Sequence, residues 1–349
     1  MKAKGGKAQS GDGGPRQVSR PSVQFFRSRI SRLKIFRSAG CCFLLSVFGY
    51  FSYEYGVQDL IAKADTLLEA LPYILKFSGE TFVVKYGGSF MDSPDEKIRT
   101  SVARDIVFLE AVEINPVVVH GGGKAITRAM ERAGLAANFV QGQRVTDEAT
   151  AKIADDVLSR EINPEVVKTI NALGGNAVGF AGPDIFKCKK LLLDDAENPG
   201  KKVDIGYVGE VVEVNVAPIK ESIWCGFTPV ISPTARGADG KIYNCNADVA
   251  AAQLAIALKA KRLVFMSDVP GLLRDPKKPD SVMPQIRTAE VTALKKSGVI
   301  DKGMIPKTDS AVAAIQSGVE KVSFVDGRVP HAVMLEIFTD EGVGTEIIL

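Results

Sequence analysis

The sequence has too few of several residue types to support many common kinds of site. It contains only two histidines, His120 and His331, which excludes a histidine-rich metal centre. Its five cysteines are odd in number and form no CxxC pair. We therefore expect neither a disulfide framework nor a structural zinc site, and a reducing cytoplasm as the location.

Two common nucleotide-binding motifs are missing as well. The P-loop pattern GxxxxGK[ST] occurs nowhere in the chain, and neither does the dinucleotide fingerprint GxGxxG. A P-loop enzyme and a nicotinamide enzyme are therefore both poor interpretations. The apolar run from Ala39 to Tyr53 is shorter than the ~20 residues that a membrane-spanning helix needs.

Residues 1–56 form an extension of unusual composition. Residues 1–37 hold ten Lys or Arg and one acidic residue, Asp12, so the rest of the chain is mildly acidic. This distribution argues against a nucleic-acid partner. The first 22 residues have a composition typical of disorder. Three interpretations of the extension stay open: a poorly ordered tail or upstream start, an organelle-targeting segment, and a membrane contact or tether.

An amphipathic helix is predicted over residues 57–79. Apolar residues recur at helical spacing from Val57 to Leu75. Pro72 lies inside this pattern and is expected to kink the helix or end it. The apolar stripe fits packing on its own domain and interlocking with another subunit equally well.

Beyond residue 80, short apolar runs alternate with helical stretches. The predicted strands are 82–85, 116–120, 229–231, 263–266 and 322–325, and the predicted helices are 95–112, 124–133, 147–170, 247–258 and 308–316. This alternation predicts an α/β fold with an open, mainly parallel sheet sandwiched by helices, in two lobes. Ligands in such folds bind at the carboxyl ends of the strands, where this chain has its glycine clusters.

Two of these glycine clusters are candidates for binding an anion. Lys85 ends a predicted strand just before Gly87-Gly88, whose backbone N–H groups are free to approach a phosphate. An ordinary strand-to-loop turn is the alternative. The run Gly121–Gly123 precedes a helix and predicts an anion nest at its N-terminus. We interpret the neighbouring His120 as structural.

Polar residues before two helices suggest a site for a small carboxylate. Arg144 is placed to hold a carboxylate through two parallel hydrogen bonds, although a surface ion pair of little value is the alternative. Asn244, Asn246 and Asp248 cluster at another helix start. Helix capping explains one of the three, and Asp248 is suited to bridge two lysines.

Two further loops are candidates for a nucleotide. Residues 267–271, with the sequence SDVPG, follow a predicted strand and fit either a nucleotide loop or a simple turn. Lys307 opens a helix after a loop that contains Gly303. A helix N-terminus of this kind is a good position for a phosphate.

These pieces, in this order, resemble the amino acid kinase family. The segments that carry the resemblance are ALPYI, VVKYGGSFM, VVVHGGGK, GQRVTD, YNCNAD, GMIPK and DGRVPHAVMLEIFTDEGVGT. Each is a weak motif alone, but together they run in order from about residue 57 to the C-terminus. They are most similar to the members that phosphorylate N-acetyl-L-glutamate and are inhibited by arginine. The helix at 147–170 and the segment 188–203 depart from the family pattern.

The resemblance implies a role for each candidate residue. The catalytic residues are Lys85, Lys307 and Asp248. The substrate-binding residues are Gly121, Gly122, Arg144 and Asn244, and the nucleotide-binding residues are Gly87, Gly88, Ser267, Asp268, Gly271 and Gly303. ATP is expected to bring Mg²⁺ on its phosphates, without a protein metal site. Acetylglutamate is expected in a lobe of residues 80–245, and ATP in a lobe of residues 246–349.

The resemblance also implies regulation and assembly. Arginine-inhibited members combine an N-terminal kinked helix with a C-terminal signature that is matched here by His331, Glu336 and Gly342. These three residues are expected near bound arginine. Such members form hexamers, as trimers of dimers, through interlaced N-terminal helices. A PII-type signalling protein is a further partner to consider.

Two alternative functions stay open. An aspartate, glutamate, carbamate or uridylate kinase of the same family would keep both lysines and change the acceptor. The GQRVTD and YNCNAD segments argue for the acetylated substrate instead. A silent arginine-binding regulatory subunit is the second alternative, and the retention of both lysines and Asp248 argues against it.

Overall fold

The computed structural model describes residues 42–87, 93, 95–195, 198, 200–275, 277–278, 280–301 and 303–349. The chain divides into two compact units between Ile61 and Ala62. Gly88, one of the predicted nucleotide-binding glycines, lies outside the described residues, as does most of the extension 1–56. Within the described ranges, no helix has the length and hydropathy that crossing a bilayer requires.

Helices and strands alternate along most of the chain. The helices are α1 (Cys42–Phe77), α2 (Glu96–Ala111), α3 (Gly123–Arg132), α4 (Glu148–Asp155), a π-helix (Asp156–Ile162), α5 (Asn163–Ala172), α6 (Gly182–Ile185), α7 (Ala217–Trp224), α8 (Ala247–Leu258), α9 (Thr288–Lys296), α10 (Ile305–Gln316) and α11 (Ala332–Ile337). The strands are β1 (Thr81–Tyr86), β2 (Asn115–His120), β3 (Phe139–Val140), β4 (Gln143–Arg144), β5 (Ala177–Phe180), β6 (Phe186–Asp194), β7 (Lys202–Val214), β8 (Thr228–Ile231), β9 (Thr234–Gly237), β10 (Ile242–Cys245), β11 (Arg262–Ser267), β12 (Gln285–Arg287), β13 (Lys321–Asp326) and β14 (Thr345–Ile348).

Helix α1 is longer than the apolar spacing predicted. It begins at residue 42 and continues through Pro72 to Phe77, so the proline does not end it. In the second unit its last turns are fixed by aromatic contacts. Tyr73 meets Phe338 edge-on with ring centroids 6.5 Å apart, and Phe77 meets Phe82 at 5.2 Å. These contacts help to offset the helical hydrogen bond that proline removes.

An eight-stranded sheet forms the centre of the second unit, in the order β12-β14-β13-β11-β1-β2-β8-β5. Neighbouring strands pair in parallel except for β13 and β14, which are antiparallel. The five strands predicted from the sequence correspond to β1, β2, β8, β11 and β13, and all lie in this sheet. The predicted α/β fold with a mainly parallel sheet is therefore confirmed.

Both faces of the sheet are covered because successive strand residues point to opposite sides. In β1, Val83 packs in a core shared with α8 and α10, whereas Val84 packs in a core shared with α2 and α11. Every residue of β1 from Phe82 to Tyr86 is buried. Continuous apolar strands between two helical layers are what a parallel sheet requires.

Strand β1 is the switch point of the sheet. It pairs with β2 on one side and with β11 on the other, so the connections after β1 and β11 diverge. In open α/β sheets a ligand crevice forms at such a point, at the carboxyl ends of the strands. Lys85 and Ser267, near the ends of β1 and β11, border this crevice.

Four strands form a separate, small closed barrel in the order β10-β7-β6-β9. No strand was predicted in residues 188–203, yet β6 and the start of β7 occupy much of that segment. Its charged residues concealed the strand pattern. Lys187 pairs with Glu213 across the two strands at 2.7 Å, and Lys190 with Asp204 at 2.6 Å. Such cross-strand ion pairs stabilise a sheet but lower the apparent hydrophobic signal.

The predicted helix 147–170 is present but is not one regular α-helix. The turns from Asp156 to Ile162 are a π-helix between α4 and α5. A π-helix is rare and occurs as wider turns inside an α-helix, so the spacing of apolar residues does not predict it.

Gly206 is required where β7 meets the segment that follows β4. Its φ is +85°, and a Cβ at this position would lie 2.1 Å from the carbonyl oxygen of Thr146. That oxygen accepts a hydrogen bond from the Tyr207 N–H at 2.6 Å, so it cannot move freely. Gly240 has a similar φ of +78°, but a Cβ there would meet no atom within 4 Å.

Substitution of these two glycines is expected to lower the free energy of unfolding by different amounts. Gly240→Ala should lower the free energy of unfolding by about 1–2 kcal/mol, which is the cost of the left-handed conformation alone. Gly206→Ala should lower it by clearly more, because the added methyl group also strikes the Thr146 carbonyl. Chemical denaturation of both variants measures the difference. Equal losses would contradict the close approach at Gly206.

Candidate active site

Lys85 and Asp248 form an ion pair in the crevice at β1. Lys85 Nζ lies 3.0 Å from Asp248 Oδ1, and both side chains are 11% exposed. That carboxylate oxygen makes no hydrogen bond within the described part of the chain. The contact is therefore an electrostatic one rather than a well-directed hydrogen bond. A buried pair of this kind depends on further charged or polar groups around it.

The first turn of α8 places Asp248 in this crevice. The Asn246 side chain caps the helix by accepting hydrogen bonds from the N–H groups of Asp248 at 2.8 Å and Val249 at 3.4 Å. The helix dipole favours an acidic residue in that turn. Capping thus explains Asn246, and it leaves the side chains of Asp248 and Asn244 for other contacts.

Lys307 approaches the same crevice from the first turn of α10. Its Nζ donates a hydrogen bond to Ser267 Oγ at 3.2 Å. Burial lowers the pKa of Lys307, the negative charge of Asp248 and then of Asp268 opposes that shift, and the positive charge of Lys85 adds to it. The three residues predicted to be catalytic therefore lie close enough to affect one another, although they come from three different elements.

The glycine loop after β2 lies beside the π-helix. Gly122 precedes α3, and a Cβ there would lie 2.5 Å from Leu158 Cδ2 and 2.6 Å from Ile162 Cδ1. Only glycine allows this close approach. The Gly121 N–H donates to the Tyr86 carbonyl at 2.8 Å. The first turn of α3 leaves backbone N–H groups without helical acceptors, as at any helix start.

Arg144 is buried at the end of the β3–β4 hairpin. Its guanidinium donates to the Gly123 carbonyl at 2.9 Å and to Thr127 Oγ1 at 2.8 Å, and it lies 4.8 Å from the centre of the Phe139 ring. Burial lowers its pKa. Its hydrogen-bond partners within the described ranges, Met130, Gly123 and Thr127, include no carboxylate, so the surface ion pair considered above is not what holds Arg144.

The other predicted site residues have varied surroundings. Asn244 is half-buried in β10. Gly87 follows β1 directly and is buried, and Gly303 lies in the exposed loop before α10. Gly271 packs against β14, where a Cβ would lie 2.5 Å from Thr345 Oγ1. The glycine at 271 is thus required by packing, whatever else the loop binds.

His120 has the surroundings of a structural histidine. It is fully buried, and burial lowers its pKa to about 4, so the ring is neutral. Its Nδ1 lies 3.0 Å from the Gly121 carbonyl, and its Nε2 lies 3.3 Å from Asn163 Nδ2. Asn163 also donates to the Val230 carbonyl at 2.9 Å. The histidine therefore links β2, α5 and β8.

The predicted effector residues lie around α11. His331 Nδ1 is 2.7 Å from Asp105 Oδ1 of α2, and the other oxygen of Asp105 accepts from the Val333 N–H at 3.2 Å. Sequence reasoning missed Asp105. No local signal marks it, because its partners are more than 200 residues away along the chain.

Glu336 and Gly342 are in direct contact. Glu336 is 2% exposed, and its Oε2 accepts a hydrogen bond from the Val343 N–H at 3.0 Å. Its Oε1 is buried and has no hydrogen-bond partner within the described ranges. Burial raises its pKa. A Cβ on Gly342, where φ is +64°, would lie 2.7 Å from Glu336 Oε2.

Comparison with known proteins assigns this geometry to a family. The model of the amino acid kinase family matches residues 80–326. The acetylglutamate kinase of Geobacter metallireducens is 49% identical over 295 residues, which cover 83% of this chain and 99% of that protein. The acetylglutamate kinase of Thermoanaerobacter pseudethanolicus is 47% identical over 294 residues, with coverage of 84% and 95%.

Solved structures share the fold at lower identity. N-acetylglutamate synthase from Neisseria gonorrhoeae, complexed with coenzyme A and N-acetyl-glutamate, superposes with a TM-score of 0.69 at 23% identity. The match covers 82% of this chain but 63% of that one. Carbamate kinase from Giardia gives a TM-score of 0.56 at 18% identity, covering 78% of this chain and 99% of that one. At these identities the likeness supports the fold alone.

The electrostatics of the crevice predict how Lys307 responds to a change at Asp248. Asp248→Asn removes a negative charge that stabilises the ammonium group, so the pKa of Lys307 should fall further below its ordinary value. Titration of ¹³C-methylated lysines by NMR follows this group. Asp194→Asn removes an exposed carboxylate of β6 and should leave Lys307 unchanged. A pKa that stays constant or rises in Asp248→Asn would contradict the arrangement.

Proposed function

The chain belongs to the amino acid kinase family, and we propose that it transfers the γ-phosphoryl group of ATP to the side-chain carboxylate of N-acetyl-L-glutamate. The observation that carries the proposal is the contact of Lys85 with Asp248 beside Lys307, at the switch point of the sheet. The acceptor follows from the acetylglutamate kinases that share nearly half of its residues. The reaction serves arginine biosynthesis.

Phosphoryl transfer suits this set of residues because it needs positioning and positive charge rather than a covalent nucleophile. A carboxylate oxygen of the substrate forms a bond to the γ-phosphorus, the bond to the bridging oxygen of ADP breaks, and ADP leaves with that electron pair. The substrate is already ionised, so no base has to remove a proton. The products are an acyl phosphate and ADP.

The two lysines stabilise the charge that develops on the transferring group. One ammonium group at ~4 Å contributes at most about 4 kcal/mol of Coulomb energy at an effective dielectric of ~20. Asp248 prevents Lys85 and Lys307 from repelling each other out of position, since it lies within reach of both. A barrier lowered by 1.4 kcal/mol corresponds to about a tenfold faster reaction.

Arg144 is proposed to bind a carboxylate of acetylglutamate, together with Asn244. The guanidinium is buried, it is oriented by Gly123 and Thr127, and its hydrogen-bond partners within the described ranges are all neutral. A fixed, desolvated guanidinium binds a carboxylate more strongly than a mobile surface one does. Gly121 and Gly122 lie at the start of α3, where helix N–H groups favour the reacting anion.

ATP is proposed to bind on the side of the crevice formed by residues 246–349, opposite the acetylglutamate on residues 80–245. Ser267 and Asp268 lie after β11, and Gly303 precedes the helix that carries Lys307. Gly87, which follows β1, completes the phosphate side, and Gly88 is proposed to bind there from its sequence motif alone. Mg²⁺ enters with ATP, held by hard phosphate oxygens.

The proposal is tested by ADP release with ATP, Mg²⁺ and one acceptor at a time. N-acetyl-L-glutamate should support turnover, whereas glutamate and aspartate should not. Lys85→Ala and Lys307→Ala should each lower kcat by about two orders of magnitude, as the loss of a donor to a developing negative charge does. Lys220→Ala, at an exposed position of α7, is the matched control and should keep normal turnover.

Three other results would change the proposed reaction or refute part of it. Turnover with a different acceptor would keep the roles of the lysines and move Arg144 and Asn244 to another ligand. Near-normal turnover in either lysine variant would refute the role of that lysine. No turnover with any acceptor would favour a silent regulatory subunit.

Arginine is proposed to inhibit the enzyme by binding near α11. The supporting observation is the buried Oε1 of Glu336, which makes no well-directed hydrogen bond within the described ranges and has the Ser323 hydroxyl near its carboxyl group. A guanidinium would satisfy this oxygen with a charge-assisted hydrogen bond. Gly342 and His331, the other residues of the signature, flank Glu336 along the same segment.

The enzyme is further proposed to assemble as a hexamer through α1. In the second unit this helix exposes four leucines, Leu67, Leu68, Leu71 and Leu75, by 68%, 62%, 43% and 72%. Exposed apolar residues in such a group mark a surface for association. Helices interlaced between dimers would cover them.

Arginine titration of turnover tests this regulation. Millimolar arginine should inhibit the full chain, and Glu336→Gln should raise the inhibitory concentration by about tenfold or more through loss of a charged hydrogen bond. Each variant is compared with its own uninhibited rate, and Glu341→Gln, an exposed neighbour, is the control. Light scattering of the same samples measures assembly. Insensitivity to arginine, or a mass below that of a hexamer, would refute the corresponding part.

A further inference from the structure

Two cysteines lie inside the small barrel. Cys188 is on β6 and Cys245 is on β10, and both are buried, with 4% and 5% of their surfaces exposed. In the closed order β10-β7-β6-β9 these two strands are not neighbours but face each other across the interior. Their side chains therefore meet inside the barrel rather than being separated by the width of a flat sheet.

A glycine on the strand between them allows this approach. Gly209 of β7 is the register partner of Cys245. A Cβ on Gly209 would lie 2.7 Å from Cys188 Sγ, so the Cys188 thiol occupies the space over the glycine that faces Cys245. Any larger residue at position 209 would displace the thiol.

The two thiols affect each other's ionisation. A hydrogen bond with Cys245 lowers the pKa of the Cys188 thiol, although burial and the charge of Asp239 oppose that shift. The same hydrogen bond raises the pKa of the Cys245 thiol. The thiolate is the reactive form of either residue, so the residue that reacts first is the one that is accessible from outside the barrel.

Cys188 is the residue of the pair that borders the surface of the barrel. It lines an open groove of about 870 Å³ at the side of the barrel, beside Lys187 and Arg236. Cys245 does not line this groove.

We propose that Cys188 and Cys245 are an oxidisable pair that forms a disulfide when hydrogen peroxide enters the groove. The Cys188 thiolate attacks one peroxide oxygen, the O–O bond breaks, and a sulfenic acid forms with release of hydroxide. The Cys245 thiol then displaces the sulfenic oxygen, which leaves as water after protonation. Two thiols lose two electrons in all, and one peroxide is reduced to two molecules of water.

Oxidation at this position acts on the crevice through β10 and α8. Cys245 lies between Asn244, a proposed substrate contact, and Asn246, which caps the helix that carries Asp248. A disulfide holds its two Cα atoms within about 4.4–6.8 Å of each other. A disulfide therefore constrains β10 against β6, and with it Asn244 and the start of α8. The effect on turnover rests on the proposed function, whereas the disulfide itself does not.

The experiment treats the purified, reduced full chain with hydrogen peroxide, blocks the remaining thiols with N-ethylmaleimide and maps tryptic peptides without reduction. We expect a cross-linked species that joins the peptide 188–189 to the peptide 242–259. Turnover of the same sample should fall by about tenfold to a hundredfold, as small displacements of reacting groups produce. Dithiothreitol should restore the separate peptides and the turnover together.

Two variants separate this site from general oxidation. Cys225→Ser removes an exposed cysteine at the end of α7 and should behave as the unmodified chain does. Cys188→Ala should give no cross-link and should keep its turnover in peroxide. If Cys188→Ala does not fold, the peptide map of the unmodified chain still shows whether the Cys188–Cys245 disulfide forms.

The absence of a Cys188–Cys245 cross-link after peroxide treatment overturns the proposal. A disulfide that involves Cys225 alone overturns the proposal as well. So does loss of turnover in Cys188→Ala that is as large as the loss in the unmodified chain. A cross-link without any change in turnover would keep the pair as a modification site and refute its effect on the crevice. Because the map needs no substrate, it stands even if the chain phosphorylates a different acceptor.

Discussion

The candidate site depends on one constraint, the burial of Asp248 beside positive charges. A carboxylate that leaves water is destabilised by several kcal/mol unless opposite charge and polar groups compensate it. Lys85 supplies that charge at 3.0 Å, and the first turn of α8 adds the favourable end of a helix dipole. Lys307 adds a second positive charge and Asp268 a second negative one, so Asp248 lies among charges of both signs in a partly buried crevice.

The sheet topology makes this cluster possible. Lys85 and Ser267 come from adjacent parallel strands, so their separation is fixed by the hydrogen bonds of the sheet rather than by loops. The helices that carry Asp248 and Lys307 pack together in the same core. Groups held by such rigid elements need little reorganisation when charge develops, which is the main source of electrostatic catalysis.

The small barrel contacts this centre through α8 and through the segment next to Arg144. Strand β10 leads directly into α8, so any change in the barrel reaches Asp248 through a single helix start. Thr146 is held against Gly206 of β7, and in this way the barrel also supports the segment next to Arg144. The barrel therefore positions both the proposed acceptor contacts, Arg144 and Asn244, and the two cysteines.

Sequence patterns predicted much of the central sheet. The five core strands and the helix at 247–258 have continuous or periodic apolar patterns, because a parallel sheet buries both of its faces. The same apolar patterns did not predict the strands of the barrel. Its strands carry charged pairs such as Lys187 with Glu213, whose contribution depends on a partner strand that the local sequence does not reveal. The π-helix and the passage of α1 through Pro72 likewise depend on packing against distant residues.

By itself the sequence determined the fold class, the order of the motifs and the identity of the two lysines and the aspartate in the crevice. Local patterns suffice for these, since each motif sits at the end of its own strand or at the start of its own helix. Only the tertiary structure decided that Asp105 pairs with His331, and that Cys188 faces Cys245 over a glycine. Such contacts join residues far apart in the chain, and only the closed path of the backbone fixes the distance between them.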